Sequence, residues 1–421
     1  MKKGGYLMKR KIFIVSALIL MFNAMQVAVF ASAYKVEPTI SASNAIVMNV
    51  DTGEVLYSHN ADEKVQIAST TKLMTALLLA ENRKPTDIIK YSVNAMNEPS
   101  TSVYKDVATK LTADDEFKAK DVMNGLLLKS GNDMAVAIAE DIAGDSVSFS
   151  KLMDSRAIEL GMNNTDFYTV SGLDTDDVLN GENHYSTAYD MAILGIAAYK
   201  NEWVRESMGL KKTTMSTEKG YSFEIENSNK NLGLNGNIGG KTGFTTKAGR
   251  CLVSIYSKGN NTYVGVVLGG GNPSYFNDMN KIVDYASSLE KTVIYDKNKV
   301  ITEVKDNIKS FKYFGEEWQV NVPVYTKEDI AIYDNEFNKT NNIYSIEIKQ
   351  DNLWNIGEDN VVGELVIKGR NSVSKYTLYT DFNVKEVLYN NRHRYIKYAV
   401  LALISCGIGI GYIKLRKNKK Q

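Results

Sequence analysis

Ile67-Ala68-Ser69-Thr70-Thr71-Lys72-Leu73-Met74-Thr75-Ala76-Leu77-Leu78-Leu79 reads as a short loop running into a helix that is apolar on nearly every face. That is the pattern of a helix buried in a core rather than laid on a surface. Into the core it carries a hydroxyl and an amine. Ser69 and Lys72 are three residues apart, so one helical turn brings them to the same face within hydrogen-bonding reach. Ser69 is expected at the helix start, where unpaired backbone N–H groups and the helix dipole favour negative charge. Lys72, walled in by Leu73, Met74 and Ala76, is expected to lose the solvation of its ammonium form and to titrate low enough to serve as a base. A serine activated in this way needs no histidine.

The Ser-x-x-Lys spacing is weak by itself. It recurs at Ser102/Lys105, Ser148/Lys151, Ser216/Lys219, Ser288/Lys291 and Ser372/Lys375, where it reads as solvated faces or loops. What singles out Ser69/Lys72 is the apolar setting and the companions downstream.

The chain has 421 residues and a formal net charge of +1. Its length predicts two folded domains plus appendages. Its charge gives no support to a nucleic-acid partner. Lys9, Arg10 and Lys11 precede an apolar run over residues 12–30 and then Ala31-Ser32-Ala33. A basic region, an apolar region and small residues before a cut make a secretory signal over residues 1–33. The competing reading is an uncleaved anchor helix, and either way the chain leaves the cytoplasm.

A second apolar segment, residues 395–413, is followed by Lys414, Arg416, Lys417, Lys419 and Lys420. It is slightly short of the ~20 residues a span prefers. The basic tail, residues 414–421, predicts a single transmembrane helix with a cytoplasmic C-terminus. The alternative, a helix lying in the interface, lacks the distinct charged face such helices carry. Of the two cysteines, Cys406 falls in this segment and Cys251 does not, which excludes a disulfide between them.

Between the ends, residues 45–50 and 55–59 flank Asp51-Thr52-Gly53-Glu54 as a hairpin. After the Ser69 helix, residues 85–198 read as mostly helical. Residues 121–128 form one apolar helix and residues 134–142 another, broken at Lys129-Ser130-Gly131-Asn132-Asp133. Residues 149–160 form an amphipathic helix stopped at Gly161. Strand character returns after Gly239-Gly240-Lys241-Thr242-Gly243, with strands at 251–256 and 263–268 and a closing helix at 276–289. Strands at both ends with helices inserted predict an α+β layout whose sheet is assembled from both ends of the domain. Residues 291–390 read as a small all-β module of short alternating runs.

Three motifs stand in order: Ser69-Thr70-Thr71-Lys72, Ser130-Gly131-Asn132 and Lys241-Thr242-Gly243. Together they resemble the penicillin-binding proteins, most closely the low-molecular-weight D-alanyl-D-alanine carboxypeptidases. The similarity extends to Asp51-Thr52-Gly53-Glu54-Val55-Leu56-Tyr57, Glu159-Leu160-Gly161-Met162 and His184-Tyr185-Ser186-Thr187-Ala188, and covers roughly residues 45–289. The resemblance implies the α+β penicillin-binding/serine β-lactamase-like transpeptidase fold over residues 40–290, an antiparallel sheet with a helical subdomain. The all-β domain and the C-terminal transmembrane helix then follow in the family's usual layout.

The resemblance also implies roles. Ser69 would attack the carbonyl of the penultimate D-Ala of a peptidoglycan stem pentapeptide and form an acyl-enzyme, and Lys72 would take its proton. Ser130 would relay a proton to the departing D-Ala nitrogen, while Asn132 binds the substrate backbone and holds Lys72. Lys241 would supply positive charge near Ser130 and the terminal carboxylate, and Thr242 a hydroxyl donor to it. Gly243 would keep side-chain bulk away from the substrate strand. The backbone N–H groups of Ser69 and Phe244 would form the oxyanion hole. β-Lactams would inhibit covalently. One position departs from the family pattern: Tyr275 stands before Phe276-Asn277-Asp278 where an arginine is common. The carboxylate anchor would then rest on Lys241 and Thr242, helped by Arg250.

No cofactor is implied. His59, His184 and His393 show no metal-ligand spacing, His184 reads as structural or cleft-lining, and Cys251 reads as a buried apolar side chain. Two rival functions carry the same motifs. A serine β-lactamase needs a fast deacylating base, and Glu159-x-x-x-Asn163 supplies a Glu and an Asn, though Glu159 reads as a solvated face residue. A catalytically silent, membrane-anchored wall-binding protein would keep the cleft as a binding site.

Overall fold

The computed structural model describes residues 36–108, 110–174, 183–349, 353–356 and 360–418. The expected signal, residues 1–33, lies outside the described residues, as do the last three residues of the basic tail.

β1 (Asn44–Asn49) and β2 (Val55–His59) form the predicted hairpin. Its turn is held by Asn49 Oδ1, which accepts from the N–H groups of Asp51 and Thr52 at 2.9 and 3.0 Å. All six residues of β1 are buried. Ile46 and Met48 face one apolar cluster, Ala45 and Val47 the other. That two-residue alternation is what a strand buried on both faces requires.

The reading of residues 85–198 as mostly helical is corrected in one place. β3 (Ile88–Tyr91) and β4 (Asp115–Lys118) pair as a two-stranded antiparallel sheet. A further hairpin, β5 (Lys212–Ser216) and β6 (Ser222–Glu226), follows. Strands of four residues alternate too briefly for periodicity to separate them from a helical turn.

β7 (Asn237–Thr245), β8 (Gly249–Lys258) and β9 (Asn261–Gly270) complete the main sheet. Its order is β2-β1-β9-β8-β7, antiparallel throughout. Because β1 pairs with β9, the sheet is indeed closed from both ends of this part of the chain. Helix Ala188–Lys200 covers one face and carries Lys72–Asn82, which in turn packs on Asn132–Ala143, while helix Ser274–Ser288 covers the other face. Leu73, Met74, Leu77 and Leu79 of the first helix are buried. At roughly 1.5–3 kcal/mol for each such side chain, their burial offsets the cost of taking the Lys72 amine out of water. β7 is an edge strand, and the turn that carries Ser69 packs against it.

Beyond the sheet come β10 (Thr292–Tyr295), β11 (Val300–Lys309), β12 (Glu317–Tyr325), β13 (Ile330–Ile332), β14 (Ile343–Ile348), β15 (Val361–Lys368) and β16 (Val373–Tyr379). Five of them form a sheet of order β11-β12-β16-β15-β14 over a core that includes Trp318, Val322, Leu365 and Leu378. The all-β expectation is amended by two short helices, Glu336–Asn341 and Val384–Asn390, capped by Asn335 and Asn383. This module is tied to the first sheet. Asn335 and Asn338 amides donate to the Val55 carbonyl at 2.9 and 2.8 Å. Arg370 pairs with Asp62 at 2.6 Å and lies 3.8 Å over the Tyr189 ring.

The last helix, Ile396–Asn418, runs 23 residues from a turn at Arg392–Tyr395. At 1.5 Å per residue it is roughly 35 Å long, enough for a hydrocarbon layer of about 30 Å. Arg392–Arg416 is long and apolar enough to cross a membrane, and its apolar window is not buried by the rest of the protein. Cys406 and Cys251 are both free.

Candidate active site

Ser69 sits in a 3-10 turn, Ala68–Thr71, that leads directly into helix Lys72–Asn82. Ala68 holds φ +47, a left-handed conformation without glycine, which costs on the order of 1–3 kcal/mol. The surrounding hydrogen bonds enforce it. Thr71 Oγ1 donates to the Ala68 carbonyl at 2.7 Å, and the His184 ring lies 3.1 Å behind that hydroxyl through Nε2. Nδ1 of His184 accepts from the N–H groups of Tyr168 and Thr169 at 3.2 and 3.4 Å. With Nδ1 accepting, the proton belongs on Nε2, which donates to Thr71. Burial draws the His184 pKa down to about 4, so the ring is neutral at pH 7. A Cβ at Gly172 would collide with the Ala68 carbonyl; glycine at φ +77 lets the two backbones meet there. The structural reading of His184 therefore takes a specific form: it braces the turn that presents Ser69.

Lys72 is fully buried. Its Nζ donates to Ser69 Oγ at 2.9 Å, Asn132 Oδ1 at 2.7 Å and the Ser171 carbonyl at 2.8 Å. Desolvation, and then the charge of Lys241, hold its pKa well below the ordinary lysine value, opposed by Asp133 and Glu98. The arrangement supplies three acceptors to an amine whose charged form is penalised by burial.

The apolar helix expected over residues 121–128 is two pieces. Helix Ala119–Asn124 passes into a π-helical turn, Gly125–Lys129, a feature that recurs at functional sites. The turn ends at Ser130 with φ +66, which projects its hydroxyl toward Lys241. Lys241 Nζ donates to Ser130 Oγ at 2.9 Å and to the Thr242 carbonyl at 2.7 Å. Lys241 is buried, and desolvation lowers its pKa to about 7. Asn132 opens the next helix; its Nδ2 donates to the Pro99 carbonyl at 3.1 Å and its backbone N–H to the Thr101 carbonyl at 2.9 Å.

Ser69, Ser130, Thr242, Gly243 and Phe244 line one cleft of about 500 Å³. Lys72, Asn132 and Lys241 lie buried beneath it. A more open hollow of about 620 Å³ beside helix Ser274–Ser288 holds none of these residues. Thr242 Oγ1 and Ser228 Oγ are 2.6 Å apart. A Cβ on Gly243 would stand 2.9 Å from the Ser69 nitrogen and 3.0 Å from that of Thr70. The space it preserves is the approach of β7 to the Ser69 backbone N–H, rather than clearance for a substrate strand alone.

Tyr275 is buried at 4 % exposure, its ring tilted against that of Phe276. Arg250, on the neighbouring β8, lines the same cleft and lies 4.1 Å over the Phe244 ring. Its Nε is buried with no hydrogen-bond partner among the described residues. A guanidinium is thus present in the cleft, delivered from a strand rather than from the helix that carries Tyr275.

Sequence reasoning missed Asp133, Ser171 and Ser228. The Asp133 carboxylate is fully buried and accepts from the Tyr91 hydroxyl and from the N–H groups of Val103, Tyr104 and Met134. Burial raises its pKa, against those hydrogen bonds. Its available signal was an acid set directly before the apolar run 134–139. Ser171 acts through a backbone carbonyl, which no residue type announces. Ser102, read as a solvated residue, is instead a buried helix cap that accepts from the Lys105 N–H at 2.9 Å. Glu159 is exposed and paired with Arg156 at 2.9 Å, and Cys251 is buried in β8. Among the described residues no cluster of potential metal ligands occurs.

Residues 31–272 match the family described as D-alanyl-D-alanine carboxypeptidase. The chain is 31% identical over 336 residues to the D-alanyl-D-alanine carboxypeptidase DacF of Bacillus subtilis, covering 78% of this chain and 81% of that one. It is 33% identical over 308 residues to DacC of Escherichia coli, covering 70% and 72%. Among solved structures, a mutant form of the Streptomyces K15 DD-transpeptidase superposes with a TM-score of 0.54 at 29% identity, covering 60% of this chain and all of that one. A D-alanyl-D-alanine carboxypeptidase of Mycobacterium tuberculosis gives 0.56 at 26% identity, covering 62% and 96%.

Proposed function

Because this chain belongs to the D-alanyl-D-alanine carboxypeptidase family, a family of serine peptidases, we propose that Ser69 is its nucleophile and Lys72 its general base. The enzyme removes the terminal D-alanine from peptidoglycan stem peptides through an acyl-enzyme, the intermediate that β-lactams trap. The observation that carries the residue assignment is the Lys72 amine, unexposed and 2.9 Å from Ser69 Oγ.

In this reading Ser69 Oγ bonds to the carbonyl carbon of the penultimate D-Ala while its proton passes to neutral Lys72. The oxyanion is held by the N–H groups of Ser69 and Phe244, each such donor being worth a few kcal/mol. Ser130, between Lys241 and the cleft, hands a proton to the leaving nitrogen as the C–N bond breaks and is reprotonated by the proton Lys72 took from Ser69, which leaves Lys72 neutral to activate the deacylating water. Water then attacks the ester, releases the shortened peptide carboxylate and restores the Ser69 hydroxyl. Asn132 positions both Lys72 and the substrate backbone. Lys241, Thr242 and the cleft-lining Arg250 receive the terminal carboxylate, so that Arg250 takes the place of the arginine absent at Tyr275.

The chain's organisation is proposed in the same terms: a signal over residues 1–33, a catalytic domain over 40–290, a β module over 291–390, a span over 395–413 and a cytoplasmic tail over 414–421. The catalytic cleft then faces the cell wall. The apolar, unburied C-terminal helix supports this arrangement.

Intact-mass labelling with penicillin, mapped by peptide analysis, tests the assignment together with release of free D-alanine from a D-Ala-D-Ala peptide. Covalent adduct on Ser69, absent in Ser69→Ala, is the expected result. Adduct at another residue, or none, overturns it.

A further inference from the structure

Between β11 and β12 the chain makes a tight tip, residues 310–316. Ser310 N–H donates to the Glu316 carbonyl at 2.9 Å and Phe311 N–H to the Phe314 carbonyl at 3.0 Å. This tip is packed against the start of the C-terminal helix. Tyr395 Oη donates to the Ser310 carbonyl at 2.6 Å. Tyr398 Oη accepts from the Glu316 N–H at 2.9 Å. The Phe311 ring meets those of Tyr395 and Tyr398 edge-on at 5.6 and 5.3 Å, and Lys397 pairs with Glu316. The tip therefore stands level with the first turn of the helix, immediately before its apolar run Ala399-Val400-Leu401-Ala402-Leu403-Ile404 begins.

Two aromatic side chains at this tip are left uncovered: Tyr313 is 77 % exposed and Phe314 66 %. Exposed aromatic rings cost free energy in water, and amphipathic rings settle at the level of lipid headgroups. Lys312, Arg392, Arg394 and Lys397 are clustered in sequence or contact around the same level. A basic set of this kind complements an anionic headgroup layer. Phe314 stacks on Phe311, whose ring meets Tyr395 and Tyr398 at the foot of a helix whose apolar run the protein does not bury.

We propose that the β11–β12 tip is a second membrane contact, with Tyr313 and Phe314 seated in the headgroup layer beside the first turn of the C-terminal helix. The proposal rests on the reading of that helix as a span. Two contact points joined by the Tyr395 and Tyr398 hydrogen bonds fix the tilt of the β module on the bilayer, where a single flexible tether would leave it free.

The test uses the exported chain carrying Phe314→Cys in a Cys406→Ser background, labelled with an environment-sensitive nitrobenzoxadiazole thiol probe. Cys251 is fully buried and stays unlabelled. The chain is reconstituted into vesicles of phosphatidylethanolamine and phosphatidylglycerol containing nitroxide lipids, and Ile404→Cys in the same background reports on the helix. The expected result is a blue-shifted emission at 314 that is lost to shallow nitroxides more than to deep ones, with 404 quenched by the deep ones. Quenching at 404 with an unshifted, unquenched probe at 314 overturns the proposal and leaves the span standing. A 314 shift that fades on diluting protein in lipid, without quenching, assigns the tip to a second copy and also overturns it. No quenching at either position removes the span reading and the proposal with it.

Discussion

Lys72 Nζ lies 2.9 Å from Ser69 Oγ while the lysine has no solvent exposure. Proximity and dryness are independent requirements, because an amine that close but hydrated would remain an ammonium ion at neutral pH. Replacing Lys72 with Met keeps an unbranched side chain, one atom shorter, and removes the base. Acylation by penicillin is expected to slow by roughly 10²–10⁴-fold, the usual worth of general-base catalysis, with a cooperative thermal transition retained. Stopped-flow or intact-mass rates measure it; an unchanged rate would remove Lys72 from the role.

In the proposed mechanism the two buried lysines work in opposite protonation states. Lys72, drawn well below its ordinary value, accepts a proton only once neutral, so activity rises as pH rises through its pKa. Lys241, lowered to about 7, binds a carboxylate only while charged, so activity falls as pH rises through that value. The pH profile of kcat/KM is bell-shaped as a result. Lys241→Arg, which stays charged, is expected to move the alkaline limb upward. Lys241→Gln removes a positive neighbour of Lys72, whose pKa then rises and carries the acid limb to higher pH. An acid limb unmoved in Lys241→Gln would show that the two amines do not interact.

Gly243→Ala places a methyl group 2.9 Å from the Ser69 nitrogen. Its effect is expected on kcat rather than on KM, by roughly 10²-fold, since it obstructs a donor that acts on the developing oxyanion. Steady-state kinetics on a D-Ala-D-Ala peptide decide the matter; a rise in KM alone would relocate the glycine's role to substrate binding.

Arg250→Gln removes the guanidinium that lines the cleft and lies over the Phe244 ring. A charge-assisted hydrogen bond contributes about 1.5–3 kcal/mol, so kcat/KM for a peptide ending in a free carboxylate is expected to fall by roughly 10- to 100-fold. A matched substrate ending in an amide should be affected far less. Equal losses on the two substrates would mean that Arg250 is only packing on Phe244.

His184 couples the Ser69 turn to acid stability. Its folded pKa of about 4 lies below the ordinary 6.5, so between those values the unfolded chain binds the proton that the folded one refuses. Stability from this group is complete above about 6.5 and is lost as pH falls toward 4, in total on the order of 3 kcal/mol. Urea unfolding at pH 7 and pH 4.5 is expected to show a steeper acid loss in the native chain than in His184→Gln. Parallel losses would place the acid-sensitive group elsewhere.

Much of the site was legible in the sequence because its spacings are local. A serine and a lysine one helical turn apart, a polar Ser-Gly-Asn break between apolar runs, and Lys-Thr-Gly, which lies inside β7 rather than ahead of the strand run, all speak through nearest neighbours along the chain. The same holds for the strands of the central sheet, whose apolar runs reflect burial on both faces. Tyr275 was legible only as a loss. Arg250 was named from the sequence as a helper, but its place in the cleft depended on β8 lying beside β7, with both facing one cleft with helix Ser274–Ser288.

The sequence by itself determined the β1–β2 hairpin, the buried helix after Ser69 and the closing of the sheet from both ends, and it named the side chains proposed to bear the chemistry, since periodicity and residue type are written along the chain. The tertiary structure alone decided that Ala68 is held left-handed by Thr71 and His184, that Lys72 reaches the Ser171 carbonyl and that Asp133 organises the loop above Asn132. These contacts join residues from about 30 to more than 100 positions apart, or are made by backbone atoms common to every residue. Their strength comes from exclusion of water, which exists only once the helices have closed over the sheet.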